Sequence, residues 1–195
     1  MPPSVPEAAH GSSPRPLYVL DACSMLNLVA SRRFPEIAGS TPADFFIPEQ
    51  AAQEVLYVRR GGSGADADGR EPVDLKGFQA LGLFAVASLA PAELATFITF
   101  AAEMDDGEAA ACAMALHRGG VLVSDDRKAR RIIAQASPRT QLLTTSEVIK
   151  AWAERAGLEA NALAHVLVDV EQRGNFRPSR HDPLEPWWNA ARTGV

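Results

Sequence analysis

Short apolar segments of strand character alternate with helical segments along most of this chain, and this alternation constrains the fold more than any other feature. The strand-like segments are Leu17–Leu20, 45–47, 83–89, 121–124 and 141–144. Helical spacing of apolar residues lies between or after them. Strands that alternate with helices form a parallel sheet covered on both faces. The sequence therefore predicts an α/β fold with three α/β/α layers around a short-stranded parallel central sheet.

The chain is predicted to form one domain with a segment on either side. Its 195 residues fit a single domain, which we place at residues 17–173. Residues 1–16, rich in Pro, Ser and Ala, are expected to be a disordered lead-in. Residues 59–74 have no apolar residue before Val73 and are expected to form a mobile surface loop. The C-terminal tail, 174–195, is expected to wrap the surface or to be partly disordered.

Several classes of protein are disfavoured by the sequence. It has no signal-peptide pattern and no apolar run long enough to span a bilayer. Cys23 and Cys112 form no closely spaced ligand motif, which argues against a zinc site or a disulfide framework. These features predict a reduced, cytoplasmic setting without a membrane partner. The net charge of −5 argues against a broad basic surface for nucleic acid.

Acidic residues follow two of the predicted strands at the point where each strand ends. Asp21 comes directly after Leu17–Leu20, and Asp125 and Asp126 come directly after 121–124. Ligands of open parallel sheets bind at the carboxyl ends of the strands, so these acids predict a site at that edge. A structural interpretation stays open for each of them, because an aspartate in this position also suits the N-cap of the following helix.

Two further acids lie in predicted helices. Glu54 belongs to the helix that begins near Pro48, where a solvated surface glutamate is the plain alternative. Glu108 follows Asp105 at the spacing of a capping box. Carboxylates gathered in one pocket repel each other and persist only when protons or a hard cation neutralise them. Oxygen ligands without nearby His or thiolate sets favour Mg²⁺, or Mn²⁺, over zinc.

Four motifs together resemble the PIN-domain nucleases, including the VapC-type toxins. They are VLDACSMLNL at 19–28, IPEQAAQEV at 47–55, DDGEAAACAMAL at 105–116 and LVSDDRKAR at 122–130. Their order and spacing cover most of residues 17–145. The resemblance implies a PIN-like fold that hydrolyses RNA phosphodiester bonds with one or two Mg²⁺ or Mn²⁺ ions, leaving a 5′-phosphate and a 3′-hydroxyl.

The resemblance also assigns site residues. The catalytic, metal-holding acids of the family correspond to Asp21, Glu54, Glu108 and Asp126, with Asp125 as a neighbour that can share the metal. Many members place Ser, Thr or Asn two residues after the first aspartate. Here that position is Cys23, and the hydroxyl follows at Ser24, whereas Asn27 matches part of the family. Ser24 and Asn27 are therefore candidate substrate-binding residues.

Basic residues follow the second acidic pair. Arg127, Lys128 and Arg130 are candidate phosphate contacts, although a solvated helix face explains them as well. Single-stranded or looped RNA is the expected substrate, since duplex grooves need a broader basic surface. The resemblance to toxins adds an antitoxin protein as a candidate partner, and the apolar helix 91–103 adds a homodimer. The alternative function is a catalytically inactive PIN-fold or RNA interaction module.

Overall fold

The centre of the protein is a five-stranded sheet whose strands are all parallel. The structure is a computed structural model that describes residues 14–62 and 69–193. Its strands, in the order in which they lie side by side, are β5 (Ala85–Ala87), β2 (Asp44–Pro48), β1 (Leu17–Leu20), β6 (Val121–Val123) and β7 (Gln141–Leu143). This confirms the predicted α/β fold with a parallel sheet of short strands.

Helices cover both faces of the sheet and complete the three layers. They are α1 (Ala22–Ala30), α2 (Phe34–Ser40), α3 (Glu49–Glu54), α4 (Leu75–Ala80), α5 (Pro91–Ala101), α6 (Asp106–Arg118), α7 (Arg127–Ala136), α8 (Thr145–Ala156), α9 (Ala160–Arg173) and α10 (Glu185–Arg192). The sequence did not predict α2, α4 or α10. Gly119 and Gly157, both in the left-handed region at φ 62° and 61°, end α6 and α8.

Alternation along the strands assigns each apolar side chain to one of two cores. Val19 and Leu122 belong to the core that α5, α6 and α7 close, whereas Leu20 and Val123 face the core beneath α1, α8 and α9. Successive strand residues point to opposite faces, so a strand buried on both sides needs an uninterrupted apolar run. The sequences LYVL and VLV meet that requirement.

The chain reverses its direction of travel across the sheet between β1 and β6. From β1 it moves outward to β2 and β5, and then returns to β6 on the other side of β1. Such a switch point leaves a crevice at the carboxyl ends of the two strands, because the connecting helices leave on opposite faces. Asp21 follows β1, and Asp125 and Asp126 follow β6, so the backbone of all three residues lies at this crevice.

A two-stranded antiparallel ribbon lies beside the main sheet. Strand β3 (Tyr57–Arg59) pairs with β4 (Arg70–Pro72), so the ends of the segment predicted as a mobile loop are paired strands. Residues 63–68 lie outside the described residues. The buried Arg173 ties the ribbon to α9, since its guanidinium donates to Arg60 O and to Glu71 Oε2, each at 2.9 Å.

The C-terminal segment contributes to the core, which corrects the expectation of a tail that only wraps the surface. Trp188 of α10 is fully buried, and its Nε1 donates to Glu171 Oε1 at 2.9 Å. Its ring contacts Phe176 edge to face, with centroids 5.6 Å apart. The described part of this segment, 174–193, is therefore an integral piece of the domain.

The apolar helix α5 is only partly covered. Phe97 and Phe100 of α5 pack into the core next to α6, and this packing accounts for two of the large apolar side chains of the helix. Leu94 and Ile98 remain 45% and 67% exposed. Among the described residues, no helix is long and apolar enough to span a membrane. Of the predicted lead-in, only 14–16 lie within the described residues.

Replacing Trp188 with alanine tests whether the C-terminal segment carries part of the core. We expect Trp188→Ala to lower the free energy of unfolding by about 3–5 kcal/mol, the usual cost of emptying a buried aromatic site. Urea denaturation followed by circular dichroism measures it. Trp187→Ala, at a partly buried neighbour, is the matched control and should cost less. Equal stability of Trp188→Ala and the wild type would contradict a core role.

Candidate functional site

Asp21 occupies the crevice at the end of β1 and is also the N-cap of α1. Its Oδ1 accepts the Ser24 N–H at 2.7 Å, and only 2% of the residue is exposed. Burial raises the pKa of its carboxyl, and the charge of Asp126 raises it further, while hydrogen bonds from Ser124 and Ser24 act in the opposite direction. The capping interpretation and a place in an acidic site therefore hold together.

The acidic pair after β6 splits into two different environments. Asp126 caps α7, with its Oδ1 accepting the Ala129 N–H at 2.7 Å. Asp125 instead reaches α8, where it accepts the Thr145 N–H at 2.9 Å and the Thr145 hydroxyl, and it also accepts Asn27 Nδ2 at 3.2 Å. Burial raises the pKa of Asp125 to about 6 despite these donors. Both of its oxygens are thus already engaged within the protein.

Glu108, in the first turn of α6, faces the same crevice. Burial is the main cause that raises the pKa of its carboxyl to about 7, followed by the charges of Asp126 and Asp21. The side chain of Asp105 makes no cap hydrogen bond, so the full capping box predicted for Asp105 and Glu108 is absent. Only its second half is present, in which the Glu108 carboxylate accepts the Asp105 N–H.

Glu54 reaches the start of α6 because residue 107 is a glycine. A Cβ at position 107 would lie 2.5 Å from Glu54 Oε1 and 3.2 Å from the Ala51 Cα, too close for any other residue without movement. The Gly107 N–H bonds to the Glu54 carboxylate instead. Partial loss of hydration raises the pKa of Glu54, and the charge of Asp105 adds to this increase.

Cys23 stands among these acids at the position where the resemblance leads us to expect Ser, Thr or Asn. The residue is exposed. Desolvation of the thiol raises its pKa to about 11, and the carboxylates that raise it further are those of Asp21, Glu108, Asp125 and Glu54. Those carboxylates come from four separate segments of the chain, and the charge of each acts on this one thiol.

The acidic set has the chemistry of a hard-cation site but is not arranged as a closed one. Within residues 14–62 and 69–193, no three Asp, Glu, His or Cys side chains stand at the mutual geometry of metal ligands. The donors that face the crevice are carboxylate oxygens, and burial is the main cause that raises the pKa values of Asp21, Glu54 and Glu108, with a smaller contribution from neighbouring carboxylates. Oxygen donors of this kind fit Mg²⁺ or Mn²⁺.

Ser24 and Asn27 do not line the open crevice. Ser24 is fully buried, and Asn27 is 4% exposed with its side-chain amide directed at Asp125 and Thr145. Contact of these two side chains with substrate stays a prediction. The structure shows a supporting contact for Asn27, whose amide donates to the Asp125 carboxylate.

The basic residues flank the acidic edge, but they differ in exposure and in whether they already form a hydrogen bond within the protein. Arg127 and Lys128 are exposed at the start of α7 and line a shallow depression together with Asp125, Asp126 and Arg131. Arg130 is partly buried, and its guanidinium donates to Ser124 O at 3.1 Å. Arg127 and Lys128 are therefore better placed than Arg130 to meet a phosphate.

Two residues that shape the site were not predicted from the sequence. Gly107 permits the approach of Glu54, and a glycine in the first turn of a helix, within Asp105-Asp106-Gly107-Glu108, is a local signal of such a close approach. Thr145 holds Asp125 from a segment 20 residues further along the chain. No local sequence pattern predicts a hydrogen-bond partner that lies so far along the chain.

The charge of Glu108 should make the metal-free protein less stable as the pH rises. A carboxyl with a pKa near 7 in the folded state and 4.5 as its ordinary value binds its proton more tightly when folded, so the free energy of unfolding falls between these pH values. We expect Glu108→Gln to flatten this slope and to raise the Tm at pH 8, by about 2–4 °C per kcal/mol gained. Thermal unfolding from pH 5 to 8 in EDTA measures this dependence of stability on pH.

Glu159→Gln, at an exposed position with no cap hydrogen bond, is the control. An unchanged slope in Glu108→Gln would contradict the raised pKa of Glu108.

Comparison with known proteins supports the similarity seen in the motifs. A search of curated proteins found no match to the chain. A family model described as a PIN domain matches residues 17–140. This range includes every acid at the crevice and four of the five strands of the main sheet, all but β7. PIN domains are generally nucleases that act on nucleic acid with divalent metals. The matched region spans more than half of the chain, and the protein therefore belongs to the PIN-domain family.

Proposed function

We propose that this chain is a metal-dependent ribonuclease that hydrolyses phosphodiester bonds of RNA. One observation carries the proposal: Asp21 and Glu108 both lie at the β1–β6 crevice beside Asp126, where burial and then the charge of Asp126 raise the pKa of each of the two carboxyls. Acids that repel each other in a crevice indicate function more than stability, since stability alone would replace them. Because PIN domains are generally nucleases, hydrolysis of a phosphodiester bond is the reaction that we infer for these acids.

The residues that would hold Mg²⁺ or Mn²⁺ are Asp21, Glu108 and Asp126, with Glu54 at the outer side of the crevice. When bound, the cation supplies an activated water and stabilises charge on the phosphoryl oxygens. Asp21 and Asp126 are oriented by the helix N-termini that they cap, so their carboxylates need no large movement. Asp125 holds the edge together through Thr145 rather than facing outward, which favours Asp126 as the ligand.

The chain's own cations would hold the RNA. Arg127 and Lys128 stand exposed beside Asp126, where they can contact phosphates on either side of the bond that is cut. The basic surface is narrow, and the net charge of the chain is −5. A single strand or an exposed loop fits such a surface better than a duplex, whose recognition spans two minor grooves.

A toxin role with an antitoxin partner, or a homodimer, belongs to the same proposal at a finer level. The exposed pair Leu94 and Ile98 on α5 supports it, because the two side chains lie one turn apart and face outward together. Co-expression with the product of a small upstream gene would test the antitoxin. A stable complex that inhibits cleavage supports a toxin, and its absence favours a stand-alone nuclease.

Asp21→Asn should abolish cleavage while leaving the fold intact. Asparagine is as good an N-cap as aspartate, so α1 keeps its start, but the site loses its most buried negative charge. We expect a loss of about 100-fold or more in the rate of cleavage of labelled single-stranded RNA with Mg²⁺ or Mn²⁺. EDTA should stop the wild-type reaction.

Asp44→Asn is the matched control for this experiment. It removes the same charge from an exposed aspartate at the start of β2, on the opposite edge of the sheet. Its cleavage rate should equal that of the wild type. Cleavage by Asp21→Asn at the wild-type rate would refute the assignment of the catalytic acids.

Metal binding should be visible without any substrate. Mn²⁺ should raise the Tm of the wild type at pH 7.5, with a stabilisation of about 2.7 kcal/mol at a concentration 100 times the Kd. The increase should shrink at pH 5, where protons already neutralise Glu108. Asp21→Asn and Glu108→Gln should each lose most of it. A folded wild type that neither binds Mn²⁺ or Mg²⁺ nor cleaves RNA would favour the alternative, an inactive PIN-fold interaction module.

A further inference from the structure

A second cavity adjoins the acidic edge, and the C-terminal segment builds much of it. It encloses about 390 Å³ between the starts of α7 and α8 and residues 176–183. The family model ends at residue 140, so this wall of the cavity is added by the part of the chain beyond it. The volume falls in the range of about 300–1,000 Å³ that is typical of small-ligand sites.

The cavity shares residues with the proposed catalytic edge. Asp125 and Arg127 line it, and both also line the shallow depression that contains Asp126. Asp125 is held from behind by Thr145 and Asn27 and therefore forms a fixed partition between the two spaces. The cavity and the depression that contains Asp126 are therefore neighbours that share Asp125 and Arg127.

The acids of the cavity are already bound, whereas a cation is available. Asp182 accepts the Ser146 hydroxyl at 3.0 Å and the Leu184 N–H at 2.8 Å. Arg177 donates to Asn189 Oδ1 at 2.6 Å and pairs with Glu171. Arg127 is exposed and forms no ion pair with any residue of the described ranges 14–62 and 69–193. An anion entering here meets a free guanidinium.

Two rings also line the cavity. Phe176 is half-buried, and its edge-to-face contact with Trp188 fixes its orientation. The imidazole of His181 is exposed. A cavity lined by both guanidinium groups and aromatic rings matches the two halves of a nucleotide, because the phosphate pairs with guanidinium groups and the base stacks on rings.

We propose that this cavity binds one nucleotide of a single-stranded RNA, the one next to the bond that lies at the acidic edge. Its phosphate contacts Arg127, and its base lies against His181 and Phe176. The C-terminal segment then sets where along the strand the RNA is held. This inference rests on the proposed ribonuclease function, since it names a subsite for the same substrate.

The test measures RNA binding without metal, so that no cleavage takes part. The anisotropy of a fluorescein-labelled single-stranded RNA is titrated in EDTA with the wild type, Arg127→Ala and His181→Ala. Each variant should bind about tenfold more weakly, as expected when a phosphate contact or a stacked base is lost. Arg127→Ala should also reduce the slope of log K against log salt by about 1, whereas His181→Ala should leave the slope unchanged.

Matched controls separate the subsite from general charge and folding effects. Arg139→Ala removes an exposed arginine at the amino edge of the sheet, and His165→Ala removes an exposed histidine of α9. Both should bind RNA like the wild type. His181→Phe, which keeps a ring at the site, should restore most of the affinity. Circular dichroism confirms that each variant is folded.

The outcomes distinguish the subsite from the ribonuclease proposal. If Arg127→Ala and His181→Ala bind like the wild type, or the controls weaken binding as much, the subsite is overturned even when the wild type cleaves RNA. If binding depends on His181 but Asp21→Asn still cleaves, the subsite stands and the catalytic assignment fails. A wild type that binds no single-stranded RNA overturns the subsite.

Discussion

The pairing of β1 with β6 is the constraint on which the rest of the structure depends. β1 is the central strand, and the Asp21 N–H donates to Val123 O at 3.2 Å, so the pairing continues one residue past its end. The sheet itself therefore holds the backbone of Asp21. A slip of one residue would turn Val19 and Leu20 to the wrong cores and would move the acid away from β6. Burial of both faces thus fixes the position of the acid.

The helix N-termini turn this placement into an orientation. Asp21 and Asp126 each use Oδ1 to cap the helix that follows directly, so the backbone of that helix orients each carboxylate. The arrangement has a cost, because burial and mutual repulsion raise the pKa values of Asp21 and Glu108. Two apolar cores, one on each face of the sheet, offset that cost. The buried acids destabilise the fold locally, and the apolar packing elsewhere in the domain compensates for that loss of stability.

The features that could be predicted from the sequence are those with a strong local pattern. The strands LYVL and VLV are apolar throughout, and the acids stand directly after them, so the sheet and its acidic edge followed from neighbouring residues alone. Helix α2 has only seven residues and contains Pro35 and Gly39, so its stability comes from tertiary burial of Phe34 and Ile37 rather than from its own propensity.

The site was less predictable where it depends on long-range contacts. Glu54 is near the other acids because Gly107, far along the chain, leaves room for it. The sequence predicts Asn27 as a substrate contact, and it gives no signal for the hydrogen bonds of this amide to Asp125 and Thr145. The match to the family ends at residue 140, yet Thr145 bonds Asp125 and Arg173 anchors the β3–β4 ribbon. The C-terminal helices therefore support the acidic edge by packing against the matched region, and the two parts form one structural unit.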